Sequence, residues 1–194
     1  MQEAADPIVV SSDCTTSLGV VAGLQRRSTE DLAIVWFDAH GDVQTPETTT
    51  SGYLGGMPLR LLVGYRPEII GASLGLRPVP EERVVLVGAR DLDPPEAQYL
   101  EGSRIRRVEV PDLSSVDLPD GPIYLHVDFD VVTPEDLPDL YFPTPGGPSL
   151  ATVSRAIRAV LDTGRVVAVG LACTWHANET TTALIRPHLE AALS

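Results

Sequence analysis

A chain of 194 residues with 43% hydrophobic content is long enough for one domain with a real core, taken as residues 1–194, and its 21% charged residues argue against wholesale disorder. The net charge of −13, with 27 acidic residues against 14 basic ones, repels phosphate backbones and argues against a nucleic-acid partner. The apolar runs are too short to span a membrane, residues 1–6 carry no secretory pattern, and two cysteines are too few for a disulfide framework, so a reducing cytoplasm is the expected compartment.

Short apolar runs alternate with helix-like segments. Strands are predicted at residues 8–10, 32–37, 83–87, 106–110, 123–127 and 166–171. Several are apolar throughout, as strands covered on both faces of a parallel sheet are. Between them, residues 16–26 place Leu18, Val21 and Leu24 on one helical face, and residues 94–101 open with prolines, which a first turn tolerates. Residues 150–162 hold Leu150, Val153, Ile157, Val160 and Leu161 at helical spacing, with Ser149 as N-cap and Gly164 as stop. A last helix is predicted over residues 179–193. Such alternation predicts a three-layer α/β/α fold on a mostly parallel sheet, with ligands bound beyond the carboxyl ends of the strands.

The second strand runs into Asp38-Ala39-His40-Gly41-Asp42. Alternation along an extended chain puts Asp38, His40 and Asp42 on one side. Three such groups together cost several kcal/mol unless compensated, and a divalent cation compensates them. The fifth strand repeats the design, ending in Asp128-Phe129-Asp130. Four aspartates and a histidine can hold two ions, and oxygen with imidazole favours Mn²⁺ over thiolate-loving metals. Two ions about 3.5–4 Å apart can share a hydroxide nucleophile. Cys14, at the first strand-to-helix junction, reaches the same sheet edge. His126 shares the parity of Asp128 and is a candidate to orient a carboxylate; His176 and His188 read as surface residues.

These residues resemble the arginase/agmatinase (ureohydrolase) family. Asp38–Asp42 is similar to its Asp-Ala-His-x-Asp motif, Asp128-Phe129-Asp130 to its Asp-x-Asp motif, residues 44–52 to its substrate loop, and Gly88-Ala89-Arg90-Asp91 to its Gly-x-Arg-Asp stretch. Ser12-Asp13-Cys14 falls where the family has Gly-Asp-His. The resemblance covers nearly the whole chain and implies a dimanganese site. One ion would be held by Cys14, Asp38, Asp42 and Asp128, the other by Asp38, His40, Asp128 and Asp130. Asp38 and Asp128 would bridge and hold the hydroxide that attacks a guanidinium carbon, releasing urea and an amine. Gln44 and Ser51 match positions that contact an amino-acid carboxylate, and Asp93 and Glu96 match positions near its amino group.

The sequence departs from the family pattern at several points. Cys14 stands for a ligand histidine, Gly55 for a proton-shuttle histidine, and Thr133 for the aspartate before Pro134. Cys173 falls near the glutamate that pairs with the guanidinium, with Glu179 as a nearby acid. The first ligand position comes early in the chain, so the family's first strands are expected to be absent and an open sheet edge to be closed by another subunit, giving a homo-oligomer. The expected function is a Mn²⁺-dependent hydrolase of an arginine-like guanidino compound. A catalytically impaired arginase-like binding or assembly protein is the alternative, and a deacetylase-like zinc hydrolase a weaker third.

Overall fold

In the computed structural model, which describes residues 7–176 and 179–193, the strands are β1 (Ile8–Ser11), β2 (Ala33–Phe37), β3 (Val84–Val87), β4 (Arg106–Val108), β5 (Ile123–Asp128) and β6 (Val166–Ala172). They form one all-parallel sheet in the order β1-β6-β5-β2-β3-β4. The expected parallel sheet is present, and among the described residues no strand departs from it. The fourth predicted strand is shorter than expected, because the chain turns into a 3₁₀ segment at Val110–Ser115.

Every residue of β2, β3 and β5 is buried, so their apolar runs have no polar face. Alternation divides them between two cores. Ala33, Val35, Phe37, Leu125 and Val127 face one layer, and Ile34, Trp36 and Tyr124 face the other. Helices α5 (Leu150–Leu161) and α6 (Glu179–Leu193) cover the first face through Val153, Ile157, Val160 and Ile185. Helix α1 (Thr16–Arg27), with Leu18, Val21 and Leu24, and helix α2 (Pro58–Leu62), with Leu59 and Leu62, cover the second. Helix α2 and the one-turn helix α3 (Gly71–Leu74) escaped the sequence reading, being too short to show a period. The predicted Ser149 cap is present, its hydroxyl accepting from the backbone N–H of Thr152. Helix α4 (Pro94–Gly102) opens with two prolines behind a capping box of Asp93 and Glu96.

From β2 the chain steps outward through β3 and β4. From β5 it steps the opposite way to β6. The carboxyl ends of β2 and β5 therefore border a topological switch point, where diverging connections leave a crevice. Arg90 ties the loops around that crevice together. Its guanidinium donates to the carbonyls of Asp130, Val131, Thr144 and Pro145 at 2.8–3.2 Å. The far edge strand, β1, leaves Ile8 and Val10 exposed.

Candidate metal centre

Strand parity delivers two carboxylates to one place. Asp38 continues the series Ile34, Trp36, and Asp128 continues Tyr124, His126, on the same face of adjacent strands. Both carboxylates are buried. Beyond Phe37 the chain does not remain extended, as the alternation argument assumed. It bends at Ala39 and His40, and Asp42 takes φ 53°, a left-handed conformation uncommon outside glycine and the short polar residues. Backbone N–H groups drive the bend: Ala39 donates to Asp130 Oδ1 at 3.0 Å and His40 to Asp38 Oδ1 at 2.7 Å. Asp130 in turn donates its N–H to Asp128 Oδ1 at 3.0 Å. The two loops are thus locked to each other through the groups they present.

Two groups of potential ligand atoms result. Cys14 Sγ lies 3.1 Å from Asp128 Oδ2 and 3.8 Å from Asp38 Oδ2. His40 Nδ1 lies 3.1 Å from Asp130 Oδ2 and 3.4 Å from Asp38 Oδ1. Within each group, Cys14–Asp38–Asp128 and Asp38–His40–Asp130, one ligand atom from every residue lies within 4.8 Å of the others. Asp38 belongs to both. Asp42 lines the same cavity, and its buried Oδ2 has no hydrogen-bond partner among the described residues.

Burial raises Asp128 to about 7 and Asp130 to about 6, with neighbouring carboxylates adding to both. It also holds Asp42 well above the usual carboxylate range, with Asp38 and Asp128 adding to the effect. Cys14 is pushed up by burial first and by Asp42, Asp128 and Asp38 after it. Burial opposes protonation of His40, but Asp130 and Asp38 outweigh it and raise the imidazole to about 12. Without a metal, His40 is therefore the counter-cation of the cluster. A fourfold acidic cluster with one imidazolium and an orphaned carboxylate oxygen is under-compensated, and divalent cations fit it.

His126 does not orient a carboxylate, as its parity suggested. Its Nε2 lies 3.2 Å from Cys14 Sγ, its Nδ1 3.1 Å from the Tyr124 hydroxyl, and its ring stacks 3.7 Å from Trp36. Burial lowers it to about 3, so it is neutral. Thr174, which sequence reasoning passed over, donates to Asp128 Oδ1 at 2.6 Å from the end of β6. Its only signal was its place after a third strand bordering the crevice. His176 is exposed as expected, whereas His188 is half-buried beside Ser154 at 3.3 Å, because α6 packs on α5.

The cavity above these groups has a volume of about 240 Å³. Gln44, Ser51, Asp93 and Glu96 line it with Tyr53, Gly55 and Phe142. Gln44 donates to Asp93 Oδ2 at 2.7 Å, while Glu96 spends its two oxygens on the N–H groups of Val43 and Asp93, each at 3.2 Å. Cys173 and Thr133 do not line the cavity. The side chain of Glu179 and residues 1–6 lie outside the described residues.

Comparison with known proteins bears on this arrangement. A model of the Arginase family matches residues 1–184. An N(omega)-hydroxy-L-arginine amidinohydrolase of Streptomyces lavendulae is 35% identical over 169 residues, covering 85% of this chain and 59% of that protein. An arginase of Bacillus subtilis is 30% identical over 178 residues, covering 84% and 60% respectively. The structure of an arginase from Bacillus caldovelox superimposes with a TM-score of 0.84 at 26% identity, over 96% of this chain and 68% of that one. The chain spans less than two thirds of the length of these two curated relatives.

Proposed function

The chain belongs to the arginase family, and from that premise we propose that it is a Mn²⁺-dependent amidinohydrolase with two ions per chain, acting on an arginine-like guanidino compound. The observation that carries this reading is the sharing of Asp38 by two ligand groups at one cavity. A one-ion deacetylase-like site has no use for the second group. In this reading Cys14, Asp38, Asp42 and Asp128 would hold one ion and Asp38, His40, Asp128 and Asp130 the other, Asp38 and Asp128 serving both. When bound, such a pair polarises a shared water and lowers its pKa toward about 7. Thr174 fixes one Asp128 oxygen, and Trp36 Nε1 fixes Asp38 Oδ2 at 3.1 Å, so the carboxylates are pre-oriented. Gln44, Ser51 and Asp93 receive the amino-acid head, while Glu96 acts by holding the Asp93 backbone.

The guanidinium-pairing glutamate of the family falls near Cys173, and the lack of that carboxylate favours a less basic guanidine. An N-hydroxylated one needs a buried anionic partner least, and the 35%-identical relative carries that substrate in its name. Product release should be measured with added Mn²⁺ on arginine, its N-hydroxylated form and agmatine. We expect the N-hydroxylated substrate to lead in kcat/KM by at least about tenfold, or about 1.4 kcal/mol. Absence of product from every guanidine, with two ions bound, would support the impaired binding protein instead.

Self-association belongs to the same reading. Among the described residues the edge strand β1 pairs on one side only and leaves Ile8 and Val10 exposed, a pairing hazard that a second copy would cover. Sedimentation velocity should give a species heavier than the 20.8 kDa chain, and a monomer at micromolar concentration would refute it. Cys14 and Cys173 are both free thiols, which is the ground for a reducing, cytoplasmic location.

A further inference from the structure

Gly55 has no positive φ, so its backbone does not call for glycine. Space does. A Cβ at this buried position would collide with the ring and hydroxyl of Tyr53, two residues earlier. The glycine is therefore the seat of an aromatic ring that leans back over the cavity. Tyr53 lines that cavity together with Cys14, Asp38, His40, Asp42, Asp128 and Asp130. Its far side packs on Phe142, with ring centroids 5.4 Å apart, and Phe142 meets the edge of His40 at 6.2 Å. The ring is thus braced between the seat and the mouth of the site. Among the described residues none engages the Tyr53 hydroxyl in a hydrogen bond. Partial burial and the nearby acids Asp13, Cys14, Asp42 and Asp128 keep the phenol protonated far above neutrality. Tyr53 is 41% exposed, and its hydroxyl is an O–H donor at a cavity that also presents the carboxylates of Asp38, Asp42, Asp128 and Asp130.

We propose that Tyr53 is a catalytic residue that protonates the leaving nitrogen during C–N cleavage, a step resting on the amidinohydrolase reading. Water added to the amidino carbon gives a tetrahedral adduct bearing one hydroxyl and three nitrogens. As the adduct collapses, the C–N electron pair goes to the departing amine, which takes the Tyr53 proton. The phenolate oxygen takes the hydroxyl proton of the adduct as the C=O bond forms. The phenol is regenerated, and no further reactant is needed. An alkylamine is a poor leaving group without a proton, and a positioned donor of this kind contributes roughly 10²–10⁴-fold.

The test is Tyr53→Phe, which keeps the ring on its glycine seat and removes only the hydroxyl. We expect kcat on the alkylguanidine to fall about 100-fold, with KM and bound metal per chain unchanged. We also expect the leaving-nitrogen ¹⁵N isotope effect on kcat/KM to rise, because bond cleavage becomes slower than addition. Gly55→Ala, which evicts the ring, should reproduce the loss with metal content intact. A variant with wild-type kcat overturns the proposal. So does a slower variant whose isotope effect matches wild type, since a structural role would slow turnover without moving the rate-limiting bond. A wild-type chain inactive on every guanidine overturns the amidinohydrolase reading itself, and this step with it.

Discussion

Asp38→Asn should reduce bound metal from two ions per chain to near none and cut kcat by at least about 10³-fold, or about 4 kcal/mol. Among the described residues Asp38 is the one that belongs to both ligand groups by geometry, so one substitution weakens both positions at once. The amide is nearly the same size as the carboxylate and carries no charge. It retains one oxygen to accept from either Trp36 Nε1 or the His40 N–H, losing the other of these bonds, worth about 1 kcal/mol, while Asp130 stays as the partner of the His40 ring. Removing a buried charge from a cluster with Asp42, Asp128 and Asp130 returns more than that. The metal-free variant should therefore melt no lower than metal-free wild type at pH 8, even as it loses activity. Elemental analysis after dialysis against Mn²⁺, run beside thermal melts, reads both arms. Retention of two ions, or wild-type turnover, would show that the two groups are not a shared centre. A large fall in melting temperature would show that Asp38 is held for folding instead.

Much of this site was legible because strand parity is a rigid code. Apolar runs buried on both faces announced β2 and β5, and an Asp at the next position of each series had to emerge at the carboxyl edge. The sheet order that makes those two edges neighbours was not legible. It depends on which way each crossover turns, and no local residue records that. The geometry past Phe37 was hidden for another reason. Periodicity assumes a regular backbone, whereas Asp42 lies at φ 53°, held in a loop whose N–H groups are consumed by Asp38, Asp130 and Glu96. His126 shows the limit of parity itself. Parity gave its face but not its neighbour, because Cys14 arrives from β1, two strands away in the sheet. Tyr53 was silent because an aromatic residue in a Gly-rich loop has no period, and the Gly55 seat shows only once the loop is folded.

The stability of the metal-free chain should fall steadily as pH rises from about 4, and added Mn²⁺ should matter little at the acid end and greatly at the alkaline end. Asp128 and Asp130 bind protons more tightly folded than unfolded, at about 7 and about 6. Between the ordinary carboxylate range and those values the folded state holds more protons, so raising the pH favours unfolding. His40 adds to the trend over a later window. Its folded value of about 12 means that its contribution is complete below the unfolded imidazole value and declines through the alkaline range. Asp42, Cys14 and Asp38 face the same space, Asp91 Oδ2 stands 3.9 Å from His40 Nε2, and the Arg90 guanidinium acts on Asp130 and Asp38 from the neighbouring loop without bringing Asp130 back to the ordinary carboxylate range. The magnitude should be about 2–4 kcal/mol between pH 4.5 and 8, or roughly 5–15 °C in Tm for a chain of this size. Metal binding replaces the protons, so its affinity rises over the same interval. At a hundredfold excess over Kd it contributes about 2.7 kcal/mol. Calorimetric melts with and without Mn²⁺ at pH 5 and pH 8 decide the matter. A metal-induced rise in Tm that is the same at both pH values, or metal-free stability that climbs with pH, would mean that these carboxylates are not the groups a cation displaces protons from.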